Sequence, residues 1–200
     1  MAGKKEKYQQ LFQESLELFA AFGYKKTTIE DIAQKLDMTK GNLYFYVKNK
    51  KDLYHQTIHW ALTQWQAHVI TAVEKKTCPR EKFKTMAQTA MAYIDTNKPL
   101  RKLLINDPDI FTLDREKDRF PEANQAARAI IRSIIDQGIK DNLFSVADPV
   151  ATTEYLFSVY MMFLIQTYVF LDSTAFQQIF DAALELNLRG LMHGSCPPTP

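Results

Sequence analysis

Apolar residues recur three or four positions apart through almost the whole of this chain, and no run alternates apolar with polar residues as a half-buried strand requires. The spacing predicts an all-α fold of about nine helices. Tyr8, Leu11, Phe12, Leu16 and Phe19 share one face of a first helix that Gly23 stops. Thr28-Ile29-Glu30-Asp31 has the form of a capping box, so a short second helix runs through Ile32, Ala33 and Leu36. Asp37-Met38-Thr39 interrupts it, Thr39 can cap again, and Leu43, Tyr44 and Val47 resume the pattern in a short third helix. After Asn49, Lys50 and Asp52 a long connecting helix carries Leu53, Ile58, Leu62, Trp65, Val69 and Val73, until Thr77-Cys78-Pro79 breaks it. Later helices are punctuated at Asn97-Lys98-Pro99, at Asp107-Pro108-Asp109, and at Pro121 and Pro149, each of the last two at a first-turn position. The final residues, ending Pro-Pro-Thr-Pro, are expected to be a disordered tail.

With 200 residues, 46% of them hydrophobic, the chain can bury a core without covalent staples. Cys78 and Cys196 lie far apart, and the lysine-rich start lacks the separate apolar stretch of a secretory signal, so no disulfide framework and a cytoplasmic location are expected. Lys75, Lys76 and Arg80 permit a reactive Cys78, but an inert thiol accounts for it as well. Six glycines, with no nucleophile elbow and no phosphate-cradling loop, leave an enzyme without catalytic residues or cofactor. His55 and His59 have metal-binding spacing, yet no Glu follows His55 and no third ligand is evident, so a surface pair without metal is expected.

Tyr155 to Leu171 carries no charge and is apolar around its whole circumference. As a membrane span it is short of the ~20 residues required, is interrupted by Ser158, Gln166 and Thr167, and is flanked by Glu154 and Asp172 where Lys or Arg would be expected. A soluble helix of this kind must be covered on two sides, by the protein's own core and by a second subunit. Phe176, Ile179, Phe180, Ala183, Asn187 and Leu191 form the next apolar stripe, and are the residues expected in a four-helix homodimer interface.

Up to Trp60 ten lysines face seven carboxylates, a balance of +3; the remainder carries fifteen basic and sixteen acidic residues, a balance of −1. Such a head suits phosphate, although a solvated lysine surface gives the same count. The stretch from Thr28 to Leu53 gives the excess a geometry: a capped helix, a tight turn, a short helix and a lysine cluster, the order of a helix-turn-helix. Thr39, Lys40, Asn42 and Phe45 fall on the face not taken by Leu43 and Val47, and offer hydrogen bonds to base edges and contact with a thymine methyl. Gly41 allows close approach to a groove, while Tyr44, Tyr46, Lys48 and Lys50 suit phosphate oxygens.

Thr39 to Leu53, together with Gly23-Tyr24 and Thr27 to Ala33, resembles the signature of the tetracycline-repressor (TetR) family over about the first quarter of the chain. The resemblance implies that Thr28, Thr39, Lys40, Asn42, Phe45 and Tyr46 lie at DNA, that Tyr44 and Lys50 touch its backbone, and that the last two long helices make a dimer. Asp37 stands where that turn often has glycine, and Phe45 where histidine is common, which implies a strained turn and a different operator. The resulting expectation is a helix-turn-helix domain at 1–53, a ligand-binding and dimerisation domain at 54–193 and a tail at 194–200. The chain is read as a homodimeric repressor on a palindromic DNA operator, released by a small apolar effector. Trp65, His68, Met86, Met91, Tyr93, Tyr155, Val159, Met162 and Phe163 are the candidate pocket lining, although such a stripe also suits a core. The rival readings are a helical adaptor whose basic head binds another protein, and a membrane-associated module; no membrane partner is expected.

Overall fold

Proline, glycine and the short polar residues set the helix boundaries, because each either removes a backbone donor or supplies a cap. The computed structural model describes residues 2–169 and 173–192, with side chains at all of these but 2–5, 115, 167–169 and 173–175. The tail expected at 194–200, with Cys196, and the end of the apolar run at Phe170 and Leu171 lie outside the described residues.

Among the described residues nine α-helices occur: α1 (Ala2–Lys26), α2 (Ile29–Lys35), α3 (Lys40–Leu43), α4 (Lys50–Glu74), α5 (Pro79–Thr96), α6 (Lys98–Asn106), α7 (Pro121–Lys140), α8 (Pro149–Val169) and α9 (Ser173–Leu191). Two short 3-10 turns separate α6 from α7, and an isolated antiparallel bridge, Phe144 to Met192, is the sole extended pairing described. The predicted all-α class and helix count therefore stand. Helix α1 goes further than expected: Gly23 adopts φ +78°, which breaks the helical path, and a further turn reaches Lys26 beyond it. Helix α3 is shorter, four residues, with Tyr44 to Tyr46 continuing as turns.

The described chain packs as two compact units, one holding residues 1–65 and 94–107, the other 66–93 and the chain from Pro108 on. The part of α4 up to Trp65 and all of α6 pack within the first of these units. In the first unit Leu11, Leu16, Phe19, Ile32, Leu43, Leu53 and Ile58 form a core with almost no exposure. Helix α6 adds Leu100, Leu103 and Leu104 and packs on α1, where the Asn106 amide donates to the Ala20 carbonyl at 3.2 Å. Tyr54 donates to the Asp107 carboxylate at 2.8 Å. Burial of each such side chain contributes about 1.5–3 kcal/mol to holding this unit together.

In the second unit α7, α8 and α9 pack through Ile131, Ile134, Ile135, Leu156, Phe157, Met161, Leu164, Leu184 and Leu188, all buried. The Phe163 ring meets Phe180 edge-on at 5.4 Å, an arrangement favoured by the ring quadrupoles. Gly138 is where α7 admits the buried Phe144 ring: a Cβ there would lie 2.0 Å from it. The Arg128 guanidinium sits 3.7 Å from the Phe157 ring centroid and pairs with Glu154 at 3.0 Å. No described helix is long and apolar enough to cross a membrane.

Candidate nucleic-acid interface

Residues 28–52 are built by four successive local hydrogen-bond devices. The Thr28 hydroxyl accepts from the Asp31 amide at 3.1 Å while the Asp31 carboxylate accepts from the Thr28 amide at 2.8 Å, the reciprocal cap read from the sequence. Those hydrogen bonds to Thr28 hold the Asp31 carboxyl below the ordinary carboxylate range. Helix α2 ends as Asp37 turns to φ +52°, with Met38 N–H donating to Ala33 C=O at 2.8 Å and Asp37 N–H to Gln34 C=O at 3.1 Å. This is a Schellman-type stop made with aspartate where glycine would be unstrained. The Thr39 hydroxyl then accepts from the Asn42 amide at 3.2 Å and starts α3. Finally Asn49 caps α4 by accepting from the Asp52 amide at 2.9 Å, and Asp52 accepts from the Lys48 amide at 2.7 Å.

These devices orient the side chains. Leu43 and Val47 are buried and pin α3 to the head, while Thr28, Thr39, Lys40, Gly41, Asn42, Tyr44, Phe45 and Lys48 are exposed. Phe45 is 85% exposed, a level that the core cannot explain for so large an apolar ring, and Tyr44 at 45% is likewise no core residue. Tyr46 is half-buried because its ring meets Tyr8 edge-on at 5.2 Å. Lys50 is half-buried as well: its ammonium lies 4.5 Å from the Tyr24 ring centroid and donates to the Lys25 carbonyl at 3.2 Å. Lys40 forms an ion pair and hydrogen bond with Glu30 of α2. Sequence reading placed neither Tyr24 nor Glu30 in the contact set, since their partners lie 26 and 10 residues away in the chain, beyond any helical repeat.

Among the pocket candidates, the second unit brings Met86, Val159 and Phe163 together around a cavity of about 40 Å³ with Phe83, Ile131, Leu156, Tyr160, Phe180, Ala183 and Asn187. Tyr155 and Met162 do not join it; both are exposed. His68 and Tyr93 meet each other with ring centroids 5.0 Å apart, Met91 is buried, and Trp65 is buried in the first unit. Of the residues expected at a dimer face, Phe180 and Leu191 are buried within the chain itself, and Ala183 and Asn187 line the cavity. Phe176 is half-buried against Phe163, whereas Ile179 is exposed. Cys78 is a free, exposed thiol, and no cluster of three or more metal-ligating side chains occurs among the described residues.

A short capped helix presenting polar and aromatic side chains, joined through residues 36–39 to a second capped helix, makes a helix-turn-helix. Residues 11–57 match the family model described as bacterial regulatory proteins, tetR family. The HTH-type transcriptional regulator YhgD of Bacillus subtilis is 23% identical over 143 residues, 72% of this chain and 74% of that protein. The solved tetR-family transcriptional regulator from Pectobacterium atrosepticum shares the fold at TM-score 0.74 and 19% identity, covering 97% of this chain and 98% of that one. The transcriptional regulator FadR of Bacillus subtilis, solved in complex with stearoyl-CoA, does so at TM-score 0.73 and 19% identity, covering 92% and 99%. Residues 11–57 are thus similar in sequence to the tetR-family model, and the chain as a whole is similar in fold to solved regulators of that kind.

Proposed function

We propose that this regulator acts as a homodimeric repressor on a palindromic operator and is released by a small apolar effector. The observation that carries the DNA-binding role is the outward face of α3, where Asn42, Lys40 and the 85%-exposed Phe45 surround a Thr39 cap with no core to serve. In this reading Thr39, Lys40, Asn42 and Phe45 read base edges, Gly41 permits the close approach, and Thr28, Tyr44, Tyr46, Lys48 and Lys50 hold phosphates. A pair of such heads bound one helical turn apart requires two-fold symmetry. The exposed apolar positions of α8 and α9, Tyr155, Met162, Ile179 and Leu186, supply chemistry for a second copy.

The effector site is the cavity among α5, α7, α8 and α9, whose lining is apolar apart from Tyr160 and Asn187. A volume of about 40 Å³ holds little more than water, so an effector must part these helices, and that movement is how binding reaches the DNA. Met86 and Phe163 are suited to repacking around a flexible chain. An acyl chain is the effector class we favour, since a FadR of the same fold is solved with stearoyl-CoA. Helix α4, with residues in both units, is the continuous element available to transmit the change. DNA reading is thus assigned to 1–53 and effector binding and dimerisation to 54–193.

The test is selection from random DNA pools across a salt series, followed by titration of the recovered complex with stearoyl-CoA. Recovery of a palindrome, and its release by stearoyl-CoA but not by coenzyme A alone, is the expected result. Sequence-blind binding, or none, would instead support a helical adaptor.

A further inference from the structure

Helix α2 contributes two carboxylates to the head, and they are engaged differently. Asp31 closes the cap by accepting from the Thr28 amide. Glu30 turns across the turn to the Lys40 ammonium, ten residues on, at the first residue of α3. Both members of the pair keep about half their side-chain surface in solvent, 57% for Glu30 and 51% for Lys40, so neither is consumed by the core and both remain able to change partner. The hydrogen bond from Lys40 holds the Glu30 carboxyl below its ordinary range, and that from Glu30 raises the Lys40 ammonium above its own. A carboxylate in this position is costly on a polyanion: it competes with every phosphate for Lys40 and repels the backbone itself.

We propose that Glu30 is a specificity-determining residue of the DNA-facing surface, which occupies Lys40 on non-cognate DNA and accepts from a cytosine N4 amino group in the operator. The inference rests on the DNA-binding reading above. On a random sequence the ion pair must be surrendered, or a negative charge brought against phosphate, for no return. On a G·C pair both members find partners at once, Lys40 donating to guanine O6 and N7 while Glu30 accepts from the N4 amino group of the paired cytosine. Repulsion on the wrong site together with a contact on the right one is the arrangement that discriminates between sequences rather than merely strengthening binding.

The experiment compares wild type with Glu30→Gln on a selected operator, on random duplex DNA and on operators substituted position by position, with melting midpoints recorded alongside. Glu30→Gln is expected to bind random DNA about two- to fivefold more tightly, the range of an exposed ion pair. Its salt dependence should steepen by up to roughly 0.9 in log–log slope as Lys40 gains a phosphate. It should also lose about fivefold or more of the preference for one G·C pair in each half-site. Glu30→Asp, one methylene shorter with the charge kept, should keep the weak random binding but lose the base preference, and serves as the second variant if glutamine destabilises α2. Equal weakening on every sequence would make Glu30 a mere brace for Lys40 and overturn the proposal, as would Glu30→Gln behaviour indistinguishable from wild type. If wild type itself selects no sequence, the DNA-binding reading fails first, so the two failures are distinguishable.

Discussion

The head and the body of this protein leave opposite kinds of surface uncovered. In the first unit the unburied face of α3 is polar, with the exposed rings of Tyr44 and Phe45 just after it and ammonium groups nearby. In the second, α8 and α9 leave large apolar side chains exposed: Tyr155 and Met162 on one helix, Ile179 and Leu186 on the other. Polar groups with fixed caps suit base edges and phosphate, which exchange one set of hydrogen bonds for another; a stripe of exposed apolar side chains gains free energy by leaving water against another protein surface.

Removing the core beneath each surface should have the largest effects. Leu43→Ala empties a site with no exposure and is expected to cost ~2–5 kcal/mol. It should abolish DNA binding while leaving the helices of the body intact, as followed by calorimetry and by binding titration. Gly138→Ala drives a methyl group into Phe144 in the second unit and should cost ~1–3 kcal/mol, lowering the melting midpoint without changing which DNA sequence is preferred. If Leu43→Ala retained full DNA affinity, α3 would not be the reading element.

Next in size is the pair of surfaces itself. Ile179→Glu combined with Leu186→Glu places two charges on the exposed stripe of α9 and should convert the proposed dimer to monomer in sedimentation at micromolar concentration. Operator affinity should fall steeply with it, since a single head engages only one half-site. A double variant that remained dimeric would move the interface off this stripe.

Within the head, roles should separate by chemistry. Asn42→Ala and Phe45→Ala are expected to change the preferred sequence, each altering discrimination by ~1–3 kcal/mol at one base pair. Lys50→Ala should weaken all sequences alike and lower the salt slope by roughly 0.9. Equal loss on every sequence for all three variants would remove that division of labour.

The smallest effect concerns the cap. Thr28→Ala should destabilise α2 by ~1 kcal/mol at neutral pH. Because the Asp31 carboxyl is held below its ordinary range by Thr28, its contribution is present above the unfolded-state value and disappears as pH falls through the folded one. The gap in stability between wild type and Thr28→Ala should therefore narrow on acidification below about pH 4. A gap that stayed constant down to pH 2 would show that the cap draws nothing from the Asp31 charge.

Legibility followed the range of the interaction. Thr28 with Asp31, Thr39 with Asn42 and Asn49 with Asp52 are each three residues apart, and all three were readable as helix starts because the donor and acceptor belong to one turn. The Asp37 departure was legible for the same reason, and its positive φ is the physical form of the strain expected there. Gly23 was legible as a break but not as a kink, because the renewed turn to Lys26 depends on Thr27, whose hydroxyl returns to the Gly23 carbonyl at 2.9 Å. The partners of Lys50 and Lys40 were not legible, since Tyr24 and Glu30 reach them through the fold.

Residue order alone is enough for the all-helical class and for the capped starts of α2 and α3, because both follow from periodicity and from caps closed within a single turn. Tertiary structure alone decided which of the apolar residues of α8 and α9 point inward. A helix such as α8, apolar all round, contains no polar face to orient it, so its own pattern cannot tell Phe163, against Phe180, from Met162, exposed one residue earlier. That choice belongs to the packing of α7, α8 and α9 against one another, where the burial of Leu156, Phe163, Phe180 and Leu188 leaves Tyr155, Met162, Ile179 and Leu186 on the outside.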